Sequence, residues 1–410
     1  METVALVVPR FGEEVVGGSE RLFLNYARLL SKKYKVEVIT SAAQEYTTWM
    51  NQYPLGKTEF EDNITIYRFP SECRWRSINT PDFWGQYGVP HPGADMLQLH
   101  YNKDVISAIR NIPRYNAEKF IIEQGPYSKE MFQFMTWNHN KWKKVLFTPY
   151  LYPTTYLGID RIPNNKVLIL MAAHHEPHIY FPCFRKYASY RWLVYFDQEA
   201  KMLNDALGTH NSNYRTVKPS VGEVTPEKDI EIDENKVVFL GRASGGKGFN
   251  FVAKLVDKYR LKYPNINIKL HVVGDIGDDV KELIHGWRDW IVVHGSVSTK
   301  KRDYILQTSL ALINASVLDS FGLVNLEAAR LGVPVFLNQD CPAFRSLAAM
   351  CKGGFIPFRT NDADNGFING LHKLRNKEYR QKCSAFLIEW GYREMGEDKA
   401  LQRLVQLIEE

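Results

Sequence analysis

Two carboxylates separated by seven residues are the most informative feature of this sequence. Asp319 and Glu327 stand on either side of the tripeptide Ser320-Phe321-Gly322, which is typical of a turn, and the residues from Leu323 to Leu331 have the pattern of a helix. A short apolar run at 310–315 precedes them and predicts a buried strand. The order is therefore a strand, a loop that carries one acid, and a helix that carries a second acid about one turn from its start.

This order of elements suits a ligand that contains both phosphate and hydroxyl groups. In an open α/β sheet, ligands bind at the carboxyl ends of strands, where the N-termini of helices converge. The N–H groups of the first helical turn favour anionic oxygen, whereas carboxylates can only accept hydrogen bonds, for example from the hydroxyls of a sugar or a ribose. A phosphorylated, hydroxyl-rich ligand is therefore expected.

A glycine-rich segment, Gly241–Gly248 with the sequence GRASGGKG, lies between a predicted strand and a predicted helix. Its two cations, Arg242 and Lys247, together with free backbone N–H groups, are what a pyrophosphate needs. The segment nearly matches the GxxxxGK[ST] loop of nucleotide hydrolases, but Gly248 stands where that loop requires a hydroxyl to bind Mg²⁺. A solvated turn with two surface cations is the structural alternative.

Two segments in the first half of the chain also follow predicted strands. Gly17 and Gly18 precede a helix, where they allow close approach of the backbone to phosphate or sugar, or simply form a turn. His174 and His175 begin the sequence HHEPH, in which Pro177 breaks the helix that would align metal ligands. We expect no metal there; contact of one histidine with the donor sugar or the acceptor hydroxyl, and a purely structural role, both stay open.

Taken together, these segments resemble the family-4 glycosyltransferases of the GT-B fold. The family pattern is a Gly-Gly loop after the first strand, a strand-Gly-Arg…Lys-Gly loop that opens the second domain, and a Glu-x7-Glu element around a Phe-Gly turn. The matching segments here are Gly17-Gly18, Gly241-Arg242…Lys247-Gly248, and Asp319…Glu327 around Phe321-Gly322. The resemblance covers about 237–335 and the first 40 residues.

The resemblance implies a fold and a set of residue roles. The fold is α/β, with two doubly wound Rossmann-like domains that face a cleft. Arg242 and Lys247 would neutralise the departing diphosphate of the donor, Glu327 would bind ribose hydroxyls, and Asp319 would hold hydroxyls of the donor sugar. Because the family has Glu where this chain has Asp319, the reach of that acid is altered. The implied donor-binding residues besides Glu327 are Gly17, Gly18, Gly241, Ser320, Phe321, Gly322 and Leu323, and His174 and His175 join the catalytic candidates.

Length and periodicity predict two domains, because 410 residues exceed one ordinary core. We expect an N-terminal acceptor-side domain at 1–220 and a nucleotide-sugar-binding domain at 230–390, joined by a polar linker. A C-terminal helix at about 391–410 could pack back on the first domain. The segment Phe120–Glu123 is among the predicted strands of the first domain.

Composition limits the partners and the location. The net charge of +6 fits anionic small molecules or a membrane surface, and the absence of a dense Lys/Arg block argues against nucleic acid. Five scattered cysteines without a CxxC motif favour a reducing cytoplasm. No apolar run approaches the 18 residues of a membrane-spanning helix. We expect a cytoplasmic protein, and peripheral contact with the inner face of the membrane also stays open.

The predicted function is transfer of a sugar from a UDP- or GDP-linked donor to a hydroxyl of a glycan or lipid-linked saccharide, with retention of configuration. Fixed cations can stabilise a departing diphosphate, so no metal or cofactor is expected. Aromatic faces stack on sugars, and Tyr150, Tyr152 and Tyr180 are the candidates for acceptor contact. The alternatives are a related sugar-nucleotide epimerase or phosphorylase, a non-catalytic nucleotide- or glycan-binding module and, third, a P-loop hydrolase.

Overall fold

The computed structural model of the chain describes residues 1–15, 17–72, 81–90, 102–172, 177–222, 226–227, 230–362 and 364–410. The chain divides into two compact units. The first consists of Met1–Gly222 together with Glu397–Glu410, and the second of Glu223–Gly396. The predicted histidines His174 and His175 lie outside the described residues.

The first unit is built on one sheet. Its described strands are β1 (Thr3–Val7), β2 (Lys35–Ser41), β3 (Gly56–Glu61), β4 (Ile64–Phe69), β5 (Trp142–Phe147), β6 (Val167–Leu170), β7 (Arg191–Val194) and β8 (Tyr214–Thr216). Their spatial order is β3-β4-β2-β1-β5-β6-β7-β8, and all neighbours are parallel except β3 and β4. The central strands are nearly continuous apolar runs, such as VLIL in β6, because helices cover both faces of a parallel sheet.

The second unit has a smaller, fully parallel sheet. Over the described residues its strands are β9 (Asp233–Leu240), β10 (Lys269–Val273), β11 (Ile291–Gly295), β12 (Ser309–Asn314), β13 (Val335–Asn338) and β14 (Phe355–Phe358). They are arranged in the order β11-β10-β9-β12-β13-β14. Central strand β12 is buried along its whole length, as the apolar run at 310–315 predicts.

The α-helices of the described residues connect and cover these strands. They are α1 (Gly18–Ser31), α2 (Pro81–Gly85), α3 (Lys103–Arg110), α4 (Arg114–Glu123), α5 (Lys129–Asn138), α6 (Pro153–Tyr156), α7 (Asp197–Leu207), α8 (Phe249–Lys262), α9 (Lys281–Gly286), α10 (Thr299–Gln307), α11 (Leu323–Arg330), α12 (Pro342–Met350), α13 (Asn369–Leu374), α14 (Lys377–Met395) and α15 (Glu397–Glu409). The apolar face of α1 is buried, and α15 packs against that helix within the first unit.

Each sheet changes direction at its first strand. In the second unit the chain passes from β9 to β10 and β11 on one side, then returns to β12 on the other. In the first unit β1 has β2 on one side and β5 on the other. The loops after β9 and β12, and those after β1 and β5, therefore meet at such a switch point, where open α/β sheets bind ligands.

The predicted fold class, α/β with two parallel-sheet domains, is confirmed. One predicted strand is wrong: Phe120–Glu123 forms the last turn of helix α4. The run FIIE is apolar and only four residues long, and such a run cannot be distinguished from a buried helical segment by its periodicity. Phe120 and Ile121 are fully buried within this helix.

Candidate active site

The switch point of the second unit brings together two predicted site residues that lie far apart in the sequence. Lys247 follows β9, Asp319 follows β12, and their Nζ and Oδ2 atoms are 3.2 Å apart. The side chain of Lys247 is about half exposed, whereas that of Asp319 is 19% exposed. A cation and an acid are thus adjacent at the carboxyl ends of two neighbouring strands.

The glycine-rich loop is held rigidly between β9 and α8. Gly248 has a φ of 74°, and a Cβ atom there would lie 2.5 Å from the carbonyl oxygen of Ala315, just after β12. The carboxylate of Asp279 accepts a hydrogen bond of 2.7 Å from the backbone N–H of Gly245. Ala243 forms an isolated parallel bridge with Ile276. The backbone of this loop is therefore fixed to two neighbouring segments.

Two backbone N–H groups of the glycine-rich loop donate hydrogen bonds within the loop itself. The N–H of Lys247 donates to Ser244, and the N–H of Gly248 donates to Gly245. The cationic side chains are the better candidates for an anionic ligand. Arg242 is exposed on the same loop, and Gly241 before it has a φ of 122°, a conformation that favours glycine.

The second loop presents Asp319 at the start of a helix. The N–H of Phe321 donates to Oδ1 of Asp319 over 3.2 Å, which closes a local turn. Phe321 is buried, and Ser320 is half-buried beside it. Gly322, with a φ of 79°, precedes Leu323 at the start of α11, and a Cβ atom there would meet the ring of Phe344 at 2.7 Å. Helix geometry directs the first N–H groups of α11 towards this turn.

A network of buried amides supports the loop that carries Asp319. The side-chain amide of Asn314, at the end of β12, donates to the Oδ1 atom of Asn325 in α11 over 2.9 Å. Asn338, at the end of β13, donates to the carbonyl of Ala315 over 3.3 Å. Sequence reasoning missed these residues, although asparagines that end apolar strands such as LALIN and VFLN were a visible signal.

Glu327, the second predicted acid, is buried in α11 and bound to a cation from α10. Nη1 of Arg302 donates to Oε1 of Glu327 over 2.8 Å, and Nη2 of Arg302 lies 2.7 Å from Oδ1 of Asp303. Burial opposes the charge of Arg302, but the two carboxylates outweigh it and raise the pKa of Arg302. Sequence reasoning missed Arg302, because nothing in the sequence pattern of helix α10 connects it to Glu327.

In the first unit the predicted Gly17-Gly18 turn starts α1 beside a buried ion pair. Gly17 is the N-cap, and a Cβ atom on it would lie 2.2 Å from the carboxylate of Glu20. Glu20 is bound by Arg10, whose Nη2 is 2.6 Å from Oε1 of the acid. Gly17 therefore provides space for this pair, a reason that the sequence pattern did not reveal.

The predicted acceptor residues differ in their exposure. Tyr150 is fully buried among the rings of Phe184 and Tyr187, so it has no surface to offer a glycan. Tyr152 is half-buried against another ring, and Tyr180 is 8% exposed, with the guanidinium of Arg110 over its ring. Only Tyr152 thus combines an aromatic face with appreciable exposure.

The described part of the HHEPH sequence is also in the core. His178 is 5% exposed and packs against the rings of Trp84 and Phe120. Among the described residues, no three His, Cys, Asp or Glu side chains are grouped so that they could hold a metal ion. No described helix is both long and apolar enough to cross a membrane.

Comparison with known proteins finds relatives for part of the chain. Residues 223–385 match the family described as glycosyl transferases group 1. A protein of the cps region of Klebsiella pneumoniae is 29% identical over 113 residues, which are 28% of this chain and 30% of that protein. A glycosyltransferase of Methanocaldococcus jannaschii, MJ1607, is 27% identical over 112 residues, which are 27% of this chain and 28% of that protein. The matched segment thus spans less than a third of each relative.

Solved structures extend the likeness of fold to the whole chain. Sucrose-phosphate synthase from Thermosynechococcus elongatus has a TM-score of 0.67 and 13% identity, and the alignment covers 99% of this chain and 98% of that one. Anabaena HepE in complex with UDP and glucose has a TM-score of 0.63 and 12% identity, with full coverage of both chains. This chain therefore has the GT-B fold. The match to glycosyl transferases group 1 covers most of its second unit.

Proposed function

We propose that this protein is a retaining glycosyltransferase that transfers a sugar from a UDP- or GDP-linked donor to a hydroxyl of its acceptor. The observation that best supports the proposal is the 3.2 Å approach of Lys247 to Asp319. A nucleotide sugar presents phosphate and hydroxyl groups side by side, and this pair offers a cation for the first and an acid for the second. The match of the second unit to glycosyl transferases group 1 supports the same conclusion.

The proposed chemistry concentrates on the leaving group. When the bond between the anomeric carbon and the phosphate oxygen breaks, its electron pair remains on the nucleoside diphosphate. Lys247 and Arg242 stabilise that charge from fixed positions, so no metal or cofactor is required. The acceptor oxygen forms the new bond on the face that the diphosphate leaves, and its proton passes to a phosphate oxygen. Configuration at the anomeric carbon is thereby retained.

The acids and the turn orient the donor in this proposal. Asp319, with the backbone of the turn at 320–323, holds hydroxyls of the sugar, while Glu327 binds those of the ribose. Both Asp319 oxygens already have partners, Phe321 N–H and Lys247, so donor binding exchanges the lysine contact for phosphate and sugar contacts. In this proposal, separation of Lys247 from Asp319 frees the lysine for the diphosphate and the acid for the sugar.

The acceptor is proposed to be a glycan or a lipid-linked saccharide, used in the cytoplasm or at the inner face of the membrane. Tyr152 is the preferred aromatic contact because part of its side chain is accessible. One of the two histidines His174 and His175 is proposed to contact the donor sugar or the acceptor hydroxyl. These assignments follow from the chemistry of sugar recognition by aromatic and polar side chains.

The test is a panel of UDP- and GDP-sugars, screened first by thermal shift and then by turnover with saccharide acceptors. A donor at 100 times its dissociation constant should stabilise the protein by about 2.7 kcal/mol. Transfer to an acceptor supports the proposal. Conversion of the donor without an acceptor would identify an epimerase, a requirement for inorganic phosphate would identify a phosphorylase, and binding without any turnover would identify a binding module.

Substitution of the cations tests their placement. Lys247→Ala and Arg242→Ala should each reduce turnover by about 100-fold, because each removes a fixed charge aimed at the leaving group. Lys254→Ala is the matched control, since it removes an exposed lysine from α8 and should change turnover by less than about threefold. Losses under about threefold in both site variants would show that the diphosphate binds elsewhere.

A further inference from the structure

Arg302 touches Glu327 from a different helix. It lies in α10, and Glu327 lies in α11. The side chain of Arg302 is 14% exposed and that of Glu327 is 10% exposed, so their contact is shielded from water. Shielding strengthens the attraction between the two charges, but it also makes either charge costly to bury alone.

Two bonds to Asp303 fix the orientation of the guanidinium. Its Nε atom donates to Oδ1 of Asp303 over 2.8 Å, and Nη2 approaches the same oxygen at 2.7 Å. Nη1 is then left at the position from which it donates to Oε1 of Glu327 over 2.8 Å. Asp303 therefore orients Arg302, and Arg302 in turn fixes one oxygen of Glu327.

Stability alone is a weak reason for this arrangement. Replacing a buried ion pair by apolar side chains is often neutral or stabilising, because desolvation of the charges offsets their attraction. A function in ligand binding gives a better account. A carboxylate accepts hydrogen bonds at both oxygens, and bonds to a charged acceptor are stronger than those between neutral groups when the acceptor is held in place.

We infer that Arg302 is a positioning residue: it orients Glu327 so that the carboxylate accepts hydrogen bonds from the ribose hydroxyls of the donor. This inference rests on the proposed function, which assigns the ribose to Glu327. The residue that it assigns, Arg302, lies outside the two loops that carry Lys247 and Asp319. Arg302 acts through Glu327 and touches neither the sugar nor the diphosphate.

The test compares binding of UDP with binding of 2′,3′-dideoxy-UDP by calorimetry, with the corresponding GDP pair measured in parallel. The wild type should prefer the ligand with ribose hydroxyls by about 10-fold or more, as expected for bonds to a charged acceptor. Glu327→Gln and Arg302→Gln should each reduce this preference to below about threefold. Arg302→Lys keeps the charge without the planar fork and should retain an intermediate preference.

Arg380→Gln is the matched control. It removes another buried cation of the same unit, Arg380, which lies 3.0 Å from the half-buried Glu234, and should lower the melting temperature without changing the preference. The ratio of the affinities for UDP and 2′,3′-dideoxy-UDP therefore separates a positioning role from a general loss of structure. If Arg302→Gln does not fold, Arg302→Lys supplies the same ratio.

The outcomes separate the inference from the proposed function. A wild type that binds both ligands equally removes Glu327 as the ribose ligand, and the role of Arg302 is overturned with it. A preference that is lost in Glu327→Gln but kept in both Arg302 variants overturns only the inference, and the proposed function stands. Loss of the preference in Arg380→Gln as well would show that any buried charge of the unit has the same effect, which also overturns the inference.

Discussion

Several charged side chains of the candidate site form ion pairs with one another. Lys247 contacts Asp319, and Arg302 lies between Asp303 and Glu327. Each pair joins groups from two different elements of the second unit. The two pairs differ in exposure: the first is partly accessible to solvent and can open, whereas the second is shielded and more rigid. We therefore expect Asp319 to change its hydrogen-bond partners when a ligand binds, and Glu327 to keep its orientation.

Asp319→Asn should separate binding of the diphosphate from catalysis. The amide no longer attracts Lys247, so UDP without a sugar should bind more tightly, by up to about fivefold, the value of a partly exposed ion pair. Turnover should fall about 10-fold or more, because the amide is a weaker acceptor for the sugar hydroxyls. Calorimetry with UDP and steady-state kinetics with the full donor measure the two effects.

The control for net charge is Glu378→Gln. Glu378 is exposed on α14 and pairs with Lys382, so this variant changes the charge of the unit equally at a helix outside the two loops of the site. UDP affinity should be unchanged. An equal gain in affinity in both variants would assign the effect to net charge and would remove the ion pair from the explanation.

At the residue scale, the sequence predicted side chains whose chemistry could be recognised from type and spacing. Lys247 and Asp319 were predicted from two separate segments, and the fold places them in contact. Arg302, Asp279 and Asn325 were not predicted. Each acts on a loop or helix from another part of the chain, and that proximity depends on how the strands are ordered in the sheet. No fixed spacing in a single sequence shows which residues the strand order brings together.

At the element scale, the glycine-rich loop is specified by backbone geometry more than by side chains. Gly248→Ala should destabilise the second unit by about 2 kcal/mol or more. An alanine with a positive φ costs about 1–2 kcal/mol, and its Cβ atom would also collide with the carbonyl of Ala315 at 2.5 Å. Thermal or urea unfolding of the variant measures the loss.

Gly246→Ala is the control for this prediction, since no atom lies within 4 Å of the position that its Cβ would occupy. This variant should be neutral or stabilising by about 0.4–1 kcal/mol, because alanine restricts the unfolded chain. Equal losses in the two variants would mean that the loop needs flexibility at every glycine, and the packing of Gly248 on β12 would not be the cause.

The start of helix α7 contains a buried acid that should make stability depend on pH. Burial raises the pKa of Glu199 to about 8, although the backbone N–H groups of Tyr195 and Phe196 partly oppose this. Between about pH 4.5 and 8 the folded protein keeps a proton that the unfolded chain has lost. The free energy of unfolding should therefore decrease as the pH rises through this range, and it should be insensitive to Glu199 below it.

Denaturant unfolding at pH 5 and pH 8 tests the role of this acid. Glu199→Gln mimics the protonated side chain, so the difference in unfolding free energy between the two pH values should shrink by on the order of 1 kcal/mol or more. Asp197→Asn changes an exposed acid in the same helical turn and should leave the difference intact. An unchanged difference in Glu199→Gln would assign the pH dependence to other groups.

The elements themselves were predicted where the apolar pattern is long or clearly bounded. The strand before Asp319 and the helix that carries Glu327 were predicted within about one residue. An apolar run defines the strand, and a turn separates it from the helix. The edge strand β3, with the sequence GKTEFE, has no apolar signal because it is almost fully exposed. The prediction of a strand at Phe120–Glu123 failed for a different reason. The apolar residues there are contiguous, so they do not show the periodicity of a helix.

At the scale of the whole molecule, the first unit is discontinuous in sequence. Its last helix, α15, follows the entire second unit and packs on α1, and an ion pair of 2.9 Å joins Lys32 to Glu397. The buried residues of α15 include Leu404, so the stability of the first unit depends on residues that follow the second unit in the chain. A chain of two units with separate cores often unfolds in more than one transition.

Leu404→Ala should lower the unfolding transition of the first unit by roughly 5–10 °C, since removing a buried leucine side chain costs about 2–5 kcal/mol and the unit has over 200 residues. Leu371→Ala, at a fully buried position in α13 of the second unit, is the matched control and should lower the other transition. Scanning calorimetry of both variants identifies each transition by its response. If both substitutions lower one common transition, the two cores unfold together in one cooperative transition, and α15 contributes to the stability of the whole chain.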